Sequence, residues 1–362
     1  MNPPPSRYLT IMLDALAARF GGTAYAAVQL AAALDRHPRV RRVLVVSRRD
    51  SIVDRGTIRG ARVGVIGVAV RRGPELAERI AWEAHQLPRA VEAHAVDGLL
   101  SFSGMLPRAL PCPVVCLQAN PVPYEEPHTV GATIRRYAFA HTARTAVATY
   151  VPSAHVAALT RGLPRVRIVP LGVDHEAFRP SDGLGRDLLY VSDFYRHKRH
   201  DLLLRAYRAL TTPRPTLRFV GNPDVEPETF ARVRQAAREI PGVVVEGRIP
   251  FDRLQAAYES ARIFLIASER ESFSMPLAEA MSVGAPAVAR DHPTLRETAG
   301  SGALYVSGDD PSVWAATIQR LIDDDRLHAN LRDRALAHSH RFSWDAMADQ
   351  LVADVSAAGQ QR

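Results

Sequence analysis

The chain has 362 residues, room for two domains of ordinary size, and 47% of them are hydrophobic, yet no apolar run approaches the eighteen that a transmembrane helix needs. A net charge of +8 raises nucleic acid or an anionic membrane as a partner. Apart from Arg36, Arg39, Arg41, Arg42, Arg48 and Arg49, however, the basic residues are scattered, and no zinc finger, aromatic RNA-binding signature or basic tail accompanies them, so nucleic acid is not the expected substrate.

The first half alternates apolar runs with helical patterns. Strands are expected at 8–13, 43–46, 63–70, 98–101, 114–117 and 148–151, with helices near 24–34, 74–85 and 134–145. Such alternation implies right-handed βαβ crossovers and a parallel sheet. Gly21 and Gly22 follow the first strand, where they let backbone approach a ligand or simply make a tight turn. The pair is too short for the dinucleotide fingerprint, which argues against a dehydrogenase. Cys112 and Cys116 are the only cysteines; they form neither a disulfide framework nor a zinc site, and are expected to be reduced and half-buried. The start, MNPPPSRY, lacks a signal peptide's apolar core, so a cytoplasmic location is expected.

Residues 171–186 are rich in Pro, Gly and Asp and carry no periodicity; they read as a hinge. A second alternation follows, with strands at 187–192, 217–220, 243–247, 263–267, 285–289 and 303–306 and helices near 199–210, 228–239, 251–261 and 312–322. A last helix is expected at 344–356. The division is therefore 1–170, 187–342 and a tail at 343–362, in an α/β fold.

The chemistry concentrates at IFLIASERESFSMPLAEAMSVGAP, residues 263–286. A short apolar strand leads through a polar turn into a helix opened by Pro276 and stopped at Gly284. Glu271 and Glu279 then flank a helix N-terminus at the carboxyl edge of a sheet, where open α/β sheets bind ligands. Free N–H groups in the first turn suit a phosphate, and a neighbouring carboxylate suits sugar hydroxyls. Spacing alone fits equally a first-turn acid that complements the helix dipole and a solvated loop charge. Arginine supplies 45 of the 46 basic residues; the single lysine is Lys198. A compact ammonium can sit as a point charge against a diphosphate, which a planar guanidinium cannot do in the same space.

E-S-F-S-M-P-L-A-E resembles the E-x7-E element of family 4 of the retaining glycosyltransferases, whose usual form is E-G-F-G-x-P-x-x-E-A. VPLGVDHEAFRP, YVSDFYRHKRHDLLLRAY and RFSWDAMADQL resemble other landmarks of that family in the same order. The resemblance implies a GT-B fold: two Rossmann-like domains with parallel sheets facing a central cleft, 1–170 binding acceptor, 187–342 binding donor, and 343–362 crossing back to the first domain. It implies transfer of a sugar from a nucleotide-diphosphate donor, a UDP-sugar foremost, to a hydroxyl of a small-molecule or lipid-linked acceptor, with no cofactor and no metal. Lys198 would meet the diphosphate. Backbone amides of Phe273, Ser274 and Met275 would contact phosphate and sugar, Glu271 the sugar hydroxyls and Glu279 the ribose diol; Gly21 and Gly22 would also approach the donor.

Two positions depart from the family pattern. Ser192-Asp193 stands where a Gly-Arg pair is usual, which makes Arg196 the candidate second cation. Gln118 stands where many members carry a histidine close to the donor sugar, and it is the third catalytic candidate beside Lys198 and Glu271; it and Asn120 can donate to a sugar hydroxyl or an oxyanion and so position the acceptor, but cannot be cations. Glu125-Glu126 reads as solvated surface or acceptor contact, and Asp323-Asp324-Asp325 as a solvated helix end rather than a metal site. The helix with Arg135, Arg136 and Arg144 reads as core-packed, with a weak membrane contact through 132–146 as the other option. The competing functions are a GT-B phosphorylase or nucleotide-sugar epimerase, and a non-catalytic basic α/β protein binding an anionic polymer or membrane.

Overall fold

The computed structural model describes residues 8–18, 21–53, 58, 60–69, 75–125, 129–180 and 185–360. The chain divides into two compact units, residues 1–172 with 343–362, and 173–342. In the first, β1 (Leu9–Asp14) is buried at every position, as a strand covered on both faces must be. There follow α1 (Gly21–Arg36), β2 (Val40–Arg48), β3 (Val63–Val68), α2 (Glu75–Ala93), β4 (Gly98–Ser101), β5 (Val114–Leu117), α3 (Val122–Glu125), α4 (Val130–Thr145), β6 (Ala148–Val151), α5 (Ala154–Leu159) and β7 (Val166–Ile168). The strands form one parallel sheet in the order β3-β2-β1-β4-β5-β6-β7.

The second unit contains β8 (Asp187–Val191), a 3-10 turn at Arg196–Lys198, α6 (His200–Arg208), β9 (Leu217–Val220), α7 (Pro227–Arg238), β10 (Val243–Gly247), α8 (Phe251–Glu259), β11 (Ala261–Ile266), α9 (Met275–Ser282), β12 (Ala287–Arg290), α10 (Pro293–Ala299), β13 (Ala303–Val306), α11 (Pro311–Asp323) and α12 (Asp325–Ser339). Its parallel sheet runs β10-β9-β8-β11-β12-β13. Right-handed crossovers put α6 and α7 on one face and α8, α9 and α10 on the other. The closing helix α13 (Trp344–Gly359) packs on α1 in the first unit, where Tyr150 donates to Asp354 at 2.7 Å.

Several expectations change. Helix α1 starts at Gly21, so the glycine pair forms its first turn; Gly21 enters at φ 70°, which costs glycine nothing. Helix α2 runs eight residues past 85 because Leu87 and Val91 are buried in the core of the unit. Pro88 has no N–H for Ala84 O, which instead faces Arg108 Nη1 at 3.5 Å. Residues 70 and 74, ends of expected elements, and 181–184 of the expected hinge lie outside the described residues. Cys112 and Cys116 are fully buried rather than half-buried, since β5 is an inner strand, and burial pushes the Cys116 thiol up to about 12.

Helix α4 is not simply core-packed. Ala132, Phe139, Thr142 and Ala143 are buried, but Val130, Ile134 and Tyr137 are 79%, 63% and 70% exposed, because the apolar residues exceed what one buried stripe can cover. No described helix is long and apolar enough to cross a membrane.

At the β1–β4 switch point of the first unit, Asp14 and Glu83 are both buried. Ser101 Oγ donates to Asp14 at 3.0 Å, and Arg79 approaches Glu83 at 3.3 Å. Burial, reinforced by the Asp14 charge, lifts the Glu83 carboxyl from 4.5 to about 8. The folded state therefore keeps a proton that the unfolded chain has released, and stability falls as pH rises through about 8. Glu83→Gln removes the titration without changing shape. Its gain in Tm over the wild type should be larger at pH 9 than at pH 6, by roughly 2–4 °C per kcal/mol relieved; an equal gain at both values would contradict a buried titrating acid.

Candidate functional site

In the second unit the sheet order reverses between β8 and β11, so the loops that leave these neighbouring strands meet at its carboxyl edge. The first loop ends in the 3-10 turn carrying Lys198, the second in Glu271. Lys198 Nζ lies 2.7 Å from Glu271 Oε1, and both side chains are largely buried, 17% and 12% exposed. Tyr190 on β8 fixes the turn by donating to the Lys198 carbonyl at 2.8 Å. Burial, with the Lys198 charge behind it, holds the His197 imidazole down at about 4, so it stays neutral and adds no cation. His200, stacked on Phe194 at 4.6 Å, is lowered to about 3 for the same two reasons.

The glutamate loop is pinned from α10. Thr294 Oγ1 donates to the Glu271 carbonyl at 2.9 Å and Thr298 Oγ1 to the carbonyl of Phe273. Phe273 is buried edge-on against Phe342, with ring centroids 5.0 Å apart. Ser274 then enters α9 in the left-handed region, φ 73°, which a non-glycine residue holds only where its surroundings impose it. Its hydroxyl is buried without a hydrogen-bond partner. An unpaired hydroxyl beside the free N–H groups of a helix start fits an anion or a polar ligand group. Pro276, in the first turn, removes one of those N–H groups but presets the helix.

One turn further on, Glu279 is 7% exposed and accepts from Tyr258 Oη at 2.7 Å. Burial raises its carboxyl from 4.5 to about 7, against the Tyr258 hydrogen bond and with some help from Asp174. Glu279 is thus a buried, titrating carboxyl and not the exposed dipole-complementing charge that spacing alone allowed.

The other expected residues are placed as follows. Asp193 Oδ1 accepts the Asn222 N–H at 3.0 Å, tying the loops after β8 and β9 together. Arg199 is left-handed, φ 54°, and ion-paired with Glu269 and Asp309. Arg196 is exposed and its backbone N–H donates to Glu226 at 2.9 Å; it lies on the α6–α7 side of the turn, beside His197 and Arg270. In the first unit Gln118, at the carboxyl end of β5, is buried beside Tyr124, and Asn120 uses its side-chain oxygen to accept the Val122 N–H at 3.1 Å.

Glu125 is not solvated surface: it is 16% exposed and faces His155 at 3.6 Å, because α3 folds it inward; Glu126 lies outside the described residues. Asp323, Asp324 and Asp325 serve the α11–α12 junction. They accept from Gln319 and from the Leu327 N–H, and pair with Arg262, respectively. Sequence reasoning missed Tyr190, Tyr258, Thr294 and Thr298. The tyrosines looked like ordinary strand and helix residues, and the short α10 carried no periodic signal.

Two parallel-sheet α/β units with a lysine–glutamate pair at a switch point correspond to the GT-B class of fold. Sucrose-phosphate synthase from Thermosynechococcus elongatus matches 97% of this chain and 100% of its own with a TM-score of 0.82 at 20% identity. Anabaena HepE, solved in complex with UDP and glucose, matches 96% of this chain and 99% of its own with a TM-score of 0.76 at 16% identity. Residues 185–324 match the family described as glycosyl transferases group 1. A D-inositol 3-phosphate glycosyltransferase from Acidothermus cellulolyticus is 33% identical over 211 residues, 52% of this chain and 47% of that protein. One from Catenulispora acidiphila is 32% identical over 212 residues, 52% of this chain and 51% of that protein. The chain thus spans about half the length of the curated relatives it matches.

Proposed function

We propose that the protein is a retaining glycosyltransferase that moves a sugar from a nucleotide-diphosphate donor to an acceptor hydroxyl. The observation that carries this reading is the buried Lys198–Glu271 pair at the β8–β11 switch point, on the loop that runs into a left-handed Ser274 whose hydroxyl has no partner. In this reading the donor enters beside the pair. Lys198 turns its charge to the diphosphate and Glu271 accepts the sugar hydroxyls. Amides of Phe273, Ser274 and Met275 hold phosphate and sugar, and Glu279 holds the ribose diol. Leaving-group charge then develops against a preplaced cation, which is where electrostatic catalysis acts. A front-face attack assisted by the leaving phosphate retains configuration without an enzymic nucleophile.

The first unit takes the acceptor, with Gln118 and Asn120 as hydroxyl-positioning groups, and its Gly21 and Gly22 let backbone approach the donor. The donor is a UDP-sugar: HepE is described in complex with UDP and glucose, and the second unit shares its fold class. The reading calls for no metal and no cofactor, and places the enzyme in the cytoplasm, where nucleotide sugars are made. Analysis of the product's anomeric configuration tests it; an inverted product contradicts the retaining mechanism. Exposed Val130, Ile134 and Tyr137 beside Arg135 and Arg144 favour a lipid-linked acceptor with weak membrane contact through 132–146. Co-sedimentation with anionic vesicles should then fall on Ile134→Ser/Tyr137→Ser, and unchanged sedimentation favours a small soluble acceptor.

A further inference from the structure

The same turn that presents Lys198 to Glu271 has a second side. Between α6 and α7, on the face of the sheet opposite α9, lies a groove of about 1020 Å³. Its floor is apolar, formed by Leu204, Val233, Ala236 and Ile240. Its walls carry Arg196, Arg199, Arg205, Arg208, Arg232 and Arg270. Three lining carboxylates, those of Asp201, Glu226 and Glu269, face these six guanidinium groups, Arg199 and Arg208 also pair with Asp309 and Glu239 outside the lining, and histidines 197 and 200 are neutral.

The pairing leaves specific cations available. Arg199 is taken by Glu269 and Arg205 by Asp201, while Arg208 turns to Glu239 outside the groove. Glu226 accepts the Arg196 backbone N–H and the Thr229 hydroxyl rather than a guanidinium. Among the described residues neither Arg196 nor Arg232 has a carboxylate partner; Arg232 donates only to Thr229 Oγ1, at 3.0 Å. Two uncommitted forks over a closed apolar floor suit a ligand with several phosphate oxygens, which guanidinium binds in bidentate fashion. The volume is at the upper end of small-molecule sites, which favours a metabolite over a polymer.

The groove is also wired to the lysine–glutamate pair. Arg196 and His197 line it while Lys198, in the same 3-10 turn, reaches Glu271; Arg270 lines it while its neighbour Glu271 receives that lysine. The two segments are joined by the Glu269 N–H donating to the His197 carbonyl at 2.9 Å. We propose that this groove is a second anion site, binding a small polyphosphorylated molecule, and that its occupancy alters ligand affinity at the Lys198–Glu271 pair. By linkage the two ligands change each other's affinity by the same factor.

Calorimetry of the full chain with tripolyphosphate, in the absence and presence of saturating UDP, tests this. The UDP-saturated protein should still bind one tripolyphosphate. Arg208→Glu/Arg232→Glu, both exposed and away from Lys198, should weaken that event at least tenfold while leaving UDP affinity without tripolyphosphate unchanged. UDP affinity in the wild type should shift severalfold when tripolyphosphate is added, and not shift in the double variant. No tripolyphosphate binding to the UDP-saturated protein, or equal binding by wild type and folded variant, overturns the site; an unshifted UDP affinity in wild type overturns the coupling. If UDP itself does not bind, the tenfold difference between wild type and variant for tripolyphosphate alone still decides the site.

Discussion

Lys198→Ala is expected to lower kcat/KM for sugar transfer by about 3 kcal/mol, on the order of 100-fold. The substitution removes the only lysine in the chain from a position 2.7 Å from Glu271 and leaves that carboxylate 12% exposed with no cation at that distance. Two losses add: leaving-group charge develops unneutralised, and Glu271 loses the partner that orients it. Lys198→Arg should recover only part, because the planar fork cannot fill the space of an ammonium set against Glu271 by a backbone that Tyr190 anchors at the Lys198 carbonyl. Turnover within twofold of wild type in Lys198→Ala would contradict the donor-site assignment, however well the surrounding residues match.

Glu279→Gln should weaken donor binding by roughly 1.5–3 kcal/mol, about ten- to a hundredfold in Kd, since a neutral amide is a poorer acceptor for a diol than a carboxylate. The carboxyl adds a pH signature. With its folded value raised to about 7, Glu279 is protonated below that pH, so donor affinity should fall as pH drops through about 7. The sign for stability is opposite: ionising a buried carboxyl is costly, so the ligand-free protein loses stability from this group as pH rises through the same value. Glu279→Gln should flatten both dependences. Calorimetry with UDP at pH 6 and pH 8 separates the outcomes, and an unchanged wild-type affinity across that range would leave Glu279 as a buried structural acid only.

How much of this was legible in the sequence depends on the range of the interaction. Strands such as 98–101 and 114–117 coincide with the structure because a short, mostly apolar run between turns suits a strand covered on both faces. The pairing of Lys198 with Glu271 was accessible only indirectly, through the rarity of lysine and the placing of both residues after strands. What sequence could not supply was contact between distant segments. Tyr258 reaches across to Glu279, and Thr294 and Thr298 on a seven-residue helix hold the glutamate loop by its carbonyls. Asp193 shows the same limit. Its charge suggested repulsion of phosphate, whereas in the fold its oxygen accepts a backbone N–H from the next strand's loop. Arg196 was selected for its position in the loop, and its side chain proves to lie on the α6–α7 side of the turn.

The central claim is that the second unit binds a nucleoside-diphosphate sugar through Lys198, Glu271 and the start of α9. Its most direct test is isothermal titration of the full chain with UDP-glucose and a panel of other nucleotide sugars, with Lys198→Ala as control. The account predicts saturable one-to-one binding of at least one nucleotide sugar, weakened on the order of 100-fold by Lys198→Ala. Absence of binding by every nucleotide sugar and nucleoside diphosphate, or equal affinity in Lys198→Ala, would contradict it.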